Sequence, residues 1–227
     1  EILAHYTGLT GTQPLPPRWA FGNFVSRFGY RSQAHVQEVV AAMKAARFPM
    51  DAVILDIFWF GDSIKNTLGN LDFVNQVAWP NPNKMMADFK AQQLNTILVT
   101  EPYFLNGTKN YAASQPHLAT DSAGKPFVLT DFYFGKGGLL DLFKPSAAQW
   151  FWQFYNSLGK RGVAGWWGDL GEPERHPEAM YHNLSSMGIK RLVPANEVHN
   201  LYGHLWSKML YSNWSKANPK KRMFGRV

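Results

Sequence analysis

Three acidic residues, Asp56, Glu101 and Asp169, stand at or near the C-terminal ends of three short apolar runs: Asp51–Trp59 (DAVILDIFW), Asn95–Thr100 (NTILVT) and Val163–Gly168 (VAGWWG). A carboxylate at the end of a buried strand is costly unless it is paired or used, and three at equivalent places in successive units point to a shared site. The segment Val163–Glu174, VAGWWGDLGEPE, is the most specific of them. Asp169 sits two residues after Trp167, with Gly168, Gly171 and Pro173 bending the chain around it. A carboxylate fixed beside an indole suits covalent glycosidic chemistry. It can attack an anomeric carbon, and a dry aromatic wall strengthens its hold on a developing oxocarbenium charge. Taken alone, the same residues equally suit a helix N-cap or an ion-paired structural acid.

Such acids need a scaffold that gathers strand ends. The run Trp19–Phe24 reads as a first strand, and Val36, Val39, Val40, Met43 and Ala46 trace one face of a helix with Ser32 as its N-cap. Asp51–Trp59 reads as a buried strand, Asn83–Gln93 as a helix opened by Pro82, and Asn95–Thr100 as a third strand. Ser146–Leu158 follows as a helix, Val163–Gly168 as a strand, Glu197–Ala217 as a long helix, and Arg222–Val227 as a strand just beginning. Near-continuous apolar strands separated by helices indicate parallel pairing with both faces covered, so the class is α/β. Acids at the C-terminal strand ends favour a (β/α)8 TIM barrel, although open sheets also use that edge. Only four to five βα units are legible, so an incomplete barrel spanning residues 1–227 is expected. The stretch 102–144, rich in glycine and aromatics, is expected to be a long βα-loop insertion with some hairpin structure and a short strand at Leu139–Phe143.

Composition narrows the function classes. Of 227 residues, 45% are hydrophobic and 17% charged, which excludes a disordered tail. No apolar run approaches a membrane span, and the first residues lack a basic-then-apolar signal pattern. The absence of cysteine excludes thiolate catalysis and Cys-ligated zinc. The net charge of +7 is scattered, with only Lys220, Lys221 and Arg222 in a run, so neither nucleic acid nor membrane is expected as a partner. His35, His117, His176, His182, His199 and His204 match no familiar metal-ligand spacing, and no metal or cofactor is expected. His199 and His204, five apart on the expected helix, fall on different faces.

Four segments occur together and in order. They are Leu9–Ser32 (LTGTQPLPPRWAFGNFVSRFGYRS), Asp51–Trp59 with its Asp56-Ile57 pair, Trp167–Glu174 (WGDLGEPE), and Glu197–Gly203 (EVHNLYG). Together they resemble glycoside hydrolase family 31 across essentially the whole chain. The resemblance implies a retaining α-glycoside-acting enzyme on a (β/α)8 barrel, with Asp169 as nucleophile and Glu172 as the acid downstream of it. It implies that Asp56 binds non-reducing-end hydroxyls in the cleavage subsite, with Ile57 and Trp167 lining the same pocket and Phe60 shaping the acceptor side. Glu101, followed by Pro102, stands where the family usually carries Asp.

A retaining mechanism needs a second carboxyl roughly 5 Å from the first. In the family that acid lies on a later strand, so it is expected beyond Val227, with the rest of the barrel and flanking domains as partners. The 227 residues by themselves are then expected to be inactive. The expected activity is that of an α-glucosidase on α-linked gluco-oligosaccharides. The segments LDIFWFGD, GDLGEPERHP and EVHNLYGH also resemble the branch containing α-glucan transglucosylases, which pass the glucosyl group to another sugar. A non-catalytic sugar-binding fragment is the alternative from another class.

Overall fold

The computed structural model describes residues 1–227. The chain opens with α1 (Ile2–Thr10), a helix without a buried side chain, whose Ile2, Leu3, Tyr6 and Leu9 are all exposed. The apolar spacing does not single it out. The expected strand at Trp19–Phe24 is displaced, because Arg18–Phe21 forms a 3-10 turn and pairing begins only at β1 (Phe24–Arg27). Trp19 is apolar for packing, not for sheet pairing: its ring lies 5.7 Å from Phe24 and 5.3 Å from Phe224.

Helix α2 (Gln33–Ala45) starts where Ser32 predicts, with the serine Oγ accepting from His35 N at 3.2 Å. It buries Val36 and Val40, while Ala46 of the expected face is exposed. Strand β2 (Ala52–Leu55) is shorter than the apolar run that contains it. The Asp56 carboxylate accepts from Ile57 N at 2.7 Å and caps a 3-10 turn, Ile57–Trp59, so the run leaves the sheet at the acid. Helix α3 (Pro82–Ala91) has proline in its first turn and an Asn81 cap, and it buries Met85, Met86 and Phe89. Strand β3 (Asn95–Thr100) is buried along its whole length.

The insertion follows, with β4 (Tyr103–Leu105), a single helical turn α4 (Tyr111–Ser114) and β5 (Gly137–Leu139). Strands β4 and β5 pair antiparallel, so the hairpin strand lies two residues before its expected start. Gly137 permits the pairing, since a Cβ there would stand 2.2 Å from Phe104 O. Tyr103, Phe104 and Phe132 are buried, so these insertion aromatics are packing residues and not free sugar platforms.

Helix α5 (Pro145–Lys160) buries Ala147, Phe151, Tyr155 and Leu158, a stripe at spacings of three and four. Strand β6 (Gly165–Gly168) precedes a hairpin absent from the sequence reading, β7 (Tyr181–Asn183) with β8 (Leu192–Pro194). The expected single helix at Glu197–Ala217 is broken. A short α6 (Ala195–Val198) is separated by a 3-10 turn at His199–Leu201 from α7 (Tyr202–Ala217). Strand β9 (Gly225–Arg226) completes the main sheet.

The sheet order is β1-β2-β3-β6-β9, every pair parallel and in chain order, as in successive units of a (β/α) barrel. Registers Val99↔Trp167 and Trp167↔Arg226 put these three residues in one row across the sheet. Period-two alternation brings Glu101 and Asp169 to the same face one step further toward the C-terminal ends. The opposite face is sealed by α5 and α7. There Tyr155 Oη pairs with Thr100 Oγ1 at 2.8 Å and accepts from Trp206 Nε1 at 3.1 Å. That network clamps the last residue of β3 directly before Glu101.

Candidate active site

Asp169 leaves β6 with its backbone N–H donated to Thr100 O at 2.8 Å, which ties the end of β6 to the end of β3. Asp56, Glu101 and Asp169 therefore come from the ends of three adjacent parallel strands and meet on one face. Burial and neighbouring charge act on all three. Burial raises the Asp56 carboxyl above its ordinary range, the hydrogen bond from Ile57 N opposes this, and the Asp169 charge adds to it. Glu101 is only 2% exposed, and its Oε2 has no hydrogen-bond partner. Burial, then Asp169, then Asp56, push its carboxyl well above the ordinary value. Asp169 is raised by burial and by Glu172, and held down by the Leu170 N–H and by Arg226.

Arg226, to which the sequence attaches no role, joins these acids. Its guanidinium lies 5.7 Å from the Trp167 ring centroid, and it is the cation that lowers the Asp169 carboxyl. The signal available in the sequence was its place near the end of the expected strand Arg222–Val227. Only the β6–β9 register shows that it stands beside Trp167.

The remaining expected residues fall into two groups. Trp167 is half-buried beside Arg226, and Glu172 is exposed in the turn that follows the nucleophile candidate. Ile57 and Phe60 are core residues, 3% and 1% exposed, with Phe60 packed on Trp59 at 5.2 Å. Ile57 opens the turn that Asp56 caps, donating its backbone N–H to the carboxylate. A cleft of about 760 Å³ is lined by residues such as Leu15, Tyr211 and Met223 and lies where the chain enters β1 and β9. That is the N-terminal side of the strands, where barrels place stabilising rather than catalytic groups.

Histidines far apart in sequence do meet, although not around a metal. His176, His182 and His199 form a chain, with His176 Nε2 2.6 Å from His182 Nε2 and His176 Nδ1 3.1 Å from His199 Nδ1. Two nitrogens on one tetrahedral zinc would stand roughly 3.4 Å apart, given bonds of about 2.1 Å. The 2.6 Å pair shares a proton instead. His204, expected on another face than His199, is outside this chain.

A family model described as the TIM-barrel domain of glycosyl hydrolases family 31 matches residues 13–226. The chain is 27% identical over 242 residues to alpha-glucosidase 2 of Bacillus thermoamyloliquefaciens, covering 99% of this chain and 28% of that protein. It is 29% identical over 215 residues to an alpha-glucosidase of Saccharolobus solfataricus, covering 89% of this chain and 30% of that one. Among solved structures, it superposes with a TM-score of 0.86 and 27% identity on a GH31 dextranase of Flavobacterium johnsoniae complexed with glucose. That match covers 100% of this chain and 28% of the dextranase. The chain thus spans less than a third of the length of these relatives. No helix is long and apolar enough to cross a membrane.

Proposed function

The chain belongs to glycosyl hydrolase family 31, part of whose barrel domain it carries, and on that premise we propose that it supplies the nucleophile half of a retaining α-glucosidase site. The observation that carries this reading is the convergence of Asp56, Glu101 and Asp169 on one face at the C-terminal ends of β2, β3 and β6. The Asp169 charge acts on both Asp56 and Glu101, and the Asp56 charge on Glu101.

Asp169 is the nucleophile. Its carboxylate attacks the anomeric carbon of an α-linked glucosyl unit, the bond to the leaving sugar oxygen breaks, and a covalent glycosyl–Asp169 ester forms. The Leu170 N–H and Arg226 favour the ionised carboxylate required for attack. Trp167 excludes water from one side of the developing oxocarbenium charge and keeps electrostatics strong. Asp56 binds sugar hydroxyls, held in place by the Ile57 N–H. Glu101, buried between the two charges, is well suited to hold its proton and donate a hydrogen bond. Glu172 faces the solvent side and adds negative charge near the nucleophile. The proton for the leaving oxygen is expected from the part of the polypeptide that the longer relatives have and this chain does not span. Water, acting with that group, then releases the sugar with net retention. The substrate class is α-linked gluco-oligosaccharides, in keeping with the names of the relatives.

The test uses the complete polypeptide, treated with 5-fluoro-α-glucosyl fluoride, digested and mapped by mass spectrometry. An adduct on Asp169 is expected. A folded, complete protein without an adduct overturns the α-glucosyl assignment. Products from maltotriose then separate hydrolysis, which releases glucose, from transfer, which yields longer oligomers.

A further inference from the structure

The loop after the nucleophile candidate is fixed at its far end by an unusual device. Tyr103 reaches up from the insertion, its hydroxyl accepting from Arg175 N at 2.8 Å and donating to Arg175 O at 3.3 Å. The next residue, His176, is gripped through both ring nitrogens by His182 and His199. His182 is fully buried and places Nδ1 2.9 Å from Asp141 Oδ1. The other Asp141 oxygen accepts from Asn183 N at 3.0 Å, with Lys144 Nζ at 3.8 Å. Four elements are therefore linked through two imidazoles, His176 and His182: the loop after Asp169, β7, the 3-10 turn before α7, and the segment after β5.

The donors in this chain run in one direction. An ionised Asp141 only accepts, so His182 Nδ1 carries a proton and, in the neutral ring, Nε2 is a lone pair. His176 Nε2 must then donate across the 2.6 Å contact, which leaves His176 Nδ1 as the acceptor for His199 Nδ1–H. Burial, reinforced by the neighbouring His182 and His199, pushes His176 down to about 3, so the central ring stays neutral.

We propose that His176 is a positioning residue, the keystone of an Asp141–His182–His176–His199 hydrogen-bond chain that holds the 169–176 loop, and with it Asp169 and Glu172, in register with the strand ends. This rests on Asp169 being the nucleophile, but the chain has a signature of its own. A ring used only for bulk could sit in either tautomer, whereas this one is dictated at both nitrogens. His199 is the chain's half-buried end and Asp141 its buried anchor.

The experiment uses the complete polypeptide labelled with 15N-histidine at about pH 8, where an unperturbed imidazole is neutral. Peaks are assigned by their loss in His176→Gln, His182→Asn and His199→Gln. The expected tautomers are Nδ1–H on His182, Nε2–H on His176 and Nδ1–H on His199. His176→Phe keeps the ring shape and removes both nitrogens. It is expected to lower kcat on an aryl α-glucoside about tenfold with KM within about threefold, the scale for a small misplacement of a reacting group. His176→Gln restores a donor toward His182 and is expected to recover most of the loss. A folded His176→Phe protein with kcat within twofold of wild type overturns the proposal, as does a His176 ring without an Nε2 proton. If His176→Phe does not fold, His199→Phe at the outer end takes its place, with a smaller fall in kcat expected and unchanged kcat counting against the proposal. A wild-type protein without glycosidase activity sinks the proposed function, while the tautomers still test the chain.

Discussion

Gly203, the last residue of the EVHNLYG segment, lies in the first turn of α7 against the loop that follows Asp169. A Cβ built there would stand 2.9 Å from Gly171 O, where ordinary contact begins at 3.4 Å. Gly203→Ala therefore forces a separation of about 0.5 Å, the difference between these two distances. The helix cannot yield easily, because Tyr202, Trp206, Leu210 and Trp214 anchor it in the core. The loop yields instead, and Gly171 is two residues from Asp169. A 1 Å misplacement of a reacting group costs about 100-fold, so half of that predicts roughly a tenfold loss of kcat. Overpacking costs about 1–3 kcal/mol, offset by up to about 1 kcal/mol from replacing glycine in a helix. Stability should thus fall by about 2 kcal/mol or less while activity falls tenfold. Gly159→Ala in α5 is the control. Its Cβ would meet the Trp214 ring at 3.4 Å, so it should stabilise by about 0.5–1 kcal/mol and leave kcat unchanged. Both variants, in the complete polypeptide, are assayed for kcat on an aryl α-glucoside and for thermal midpoint. A folded Gly203→Ala enzyme with kcat within twofold of wild type would refute this account of the glycine.

Glu101→Gln should raise stability at neutral pH. Because the folded-state carboxyl is raised, the folded form holds a proton that the unfolded form has lost, so wild-type stability declines as pH rises from the ordinary carboxylate range through the raised value. The variant should lack that decline, and parallel plots of thermal midpoint against pH for the two proteins would contradict it. Arg226→Met removes the cation that lowers the Asp169 carboxyl, so the acid limb of kcat/KM should move to higher pH; a limb that stays in place excludes the assigned role. Tyr155→Phe strips the partner from the buried Trp206 Nε1 and leaves Thr100 Oγ1 only a 3.4 Å contact with Trp167 O. A loss of about 1–3 kcal/mol is expected by thermal or urea denaturation, and a change below about 0.5 kcal/mol counts against the network.

Much of this protein was legible along the chain, because local rules acted where local interactions decide. Ser32 caps α2, Pro82 opens α3, and Asn95–Thr100 is a strand from end to end. The parallel α/β class and the placement of Asp56, Glu101 and Asp169 at strand ends also follow from spacing, since a buried strand reads as a continuous apolar run. Apolar runs did not reveal which part pairs and which part packs. Trp19 and Ile57–Trp59 are as hydrophobic as strand residues, but they sit in 3-10 turns because Trp19 contacts Phe224 and Asp56 caps the backbone. The helix from Glu197 to Ala217 looks continuous by period, but it breaks at His199–Leu201, where His199 turns to His176.

What the sequence determined by itself was the family, the order of the βα units and the identity of the acids at the strand ends. These rest on residue types and short spacings. Tertiary structure alone decided that Arg226 stands beside Trp167, that Phe60 belongs to the core, and that His176, His182, His199 and Asp141 form one chain. The first depends on strand register between residues 59 apart, and the histidine chain on packing between residues 6, 23 and 41 positions apart. A hydrogen bond of 2.6 Å between two histidines leaves no trace in the spacing of either.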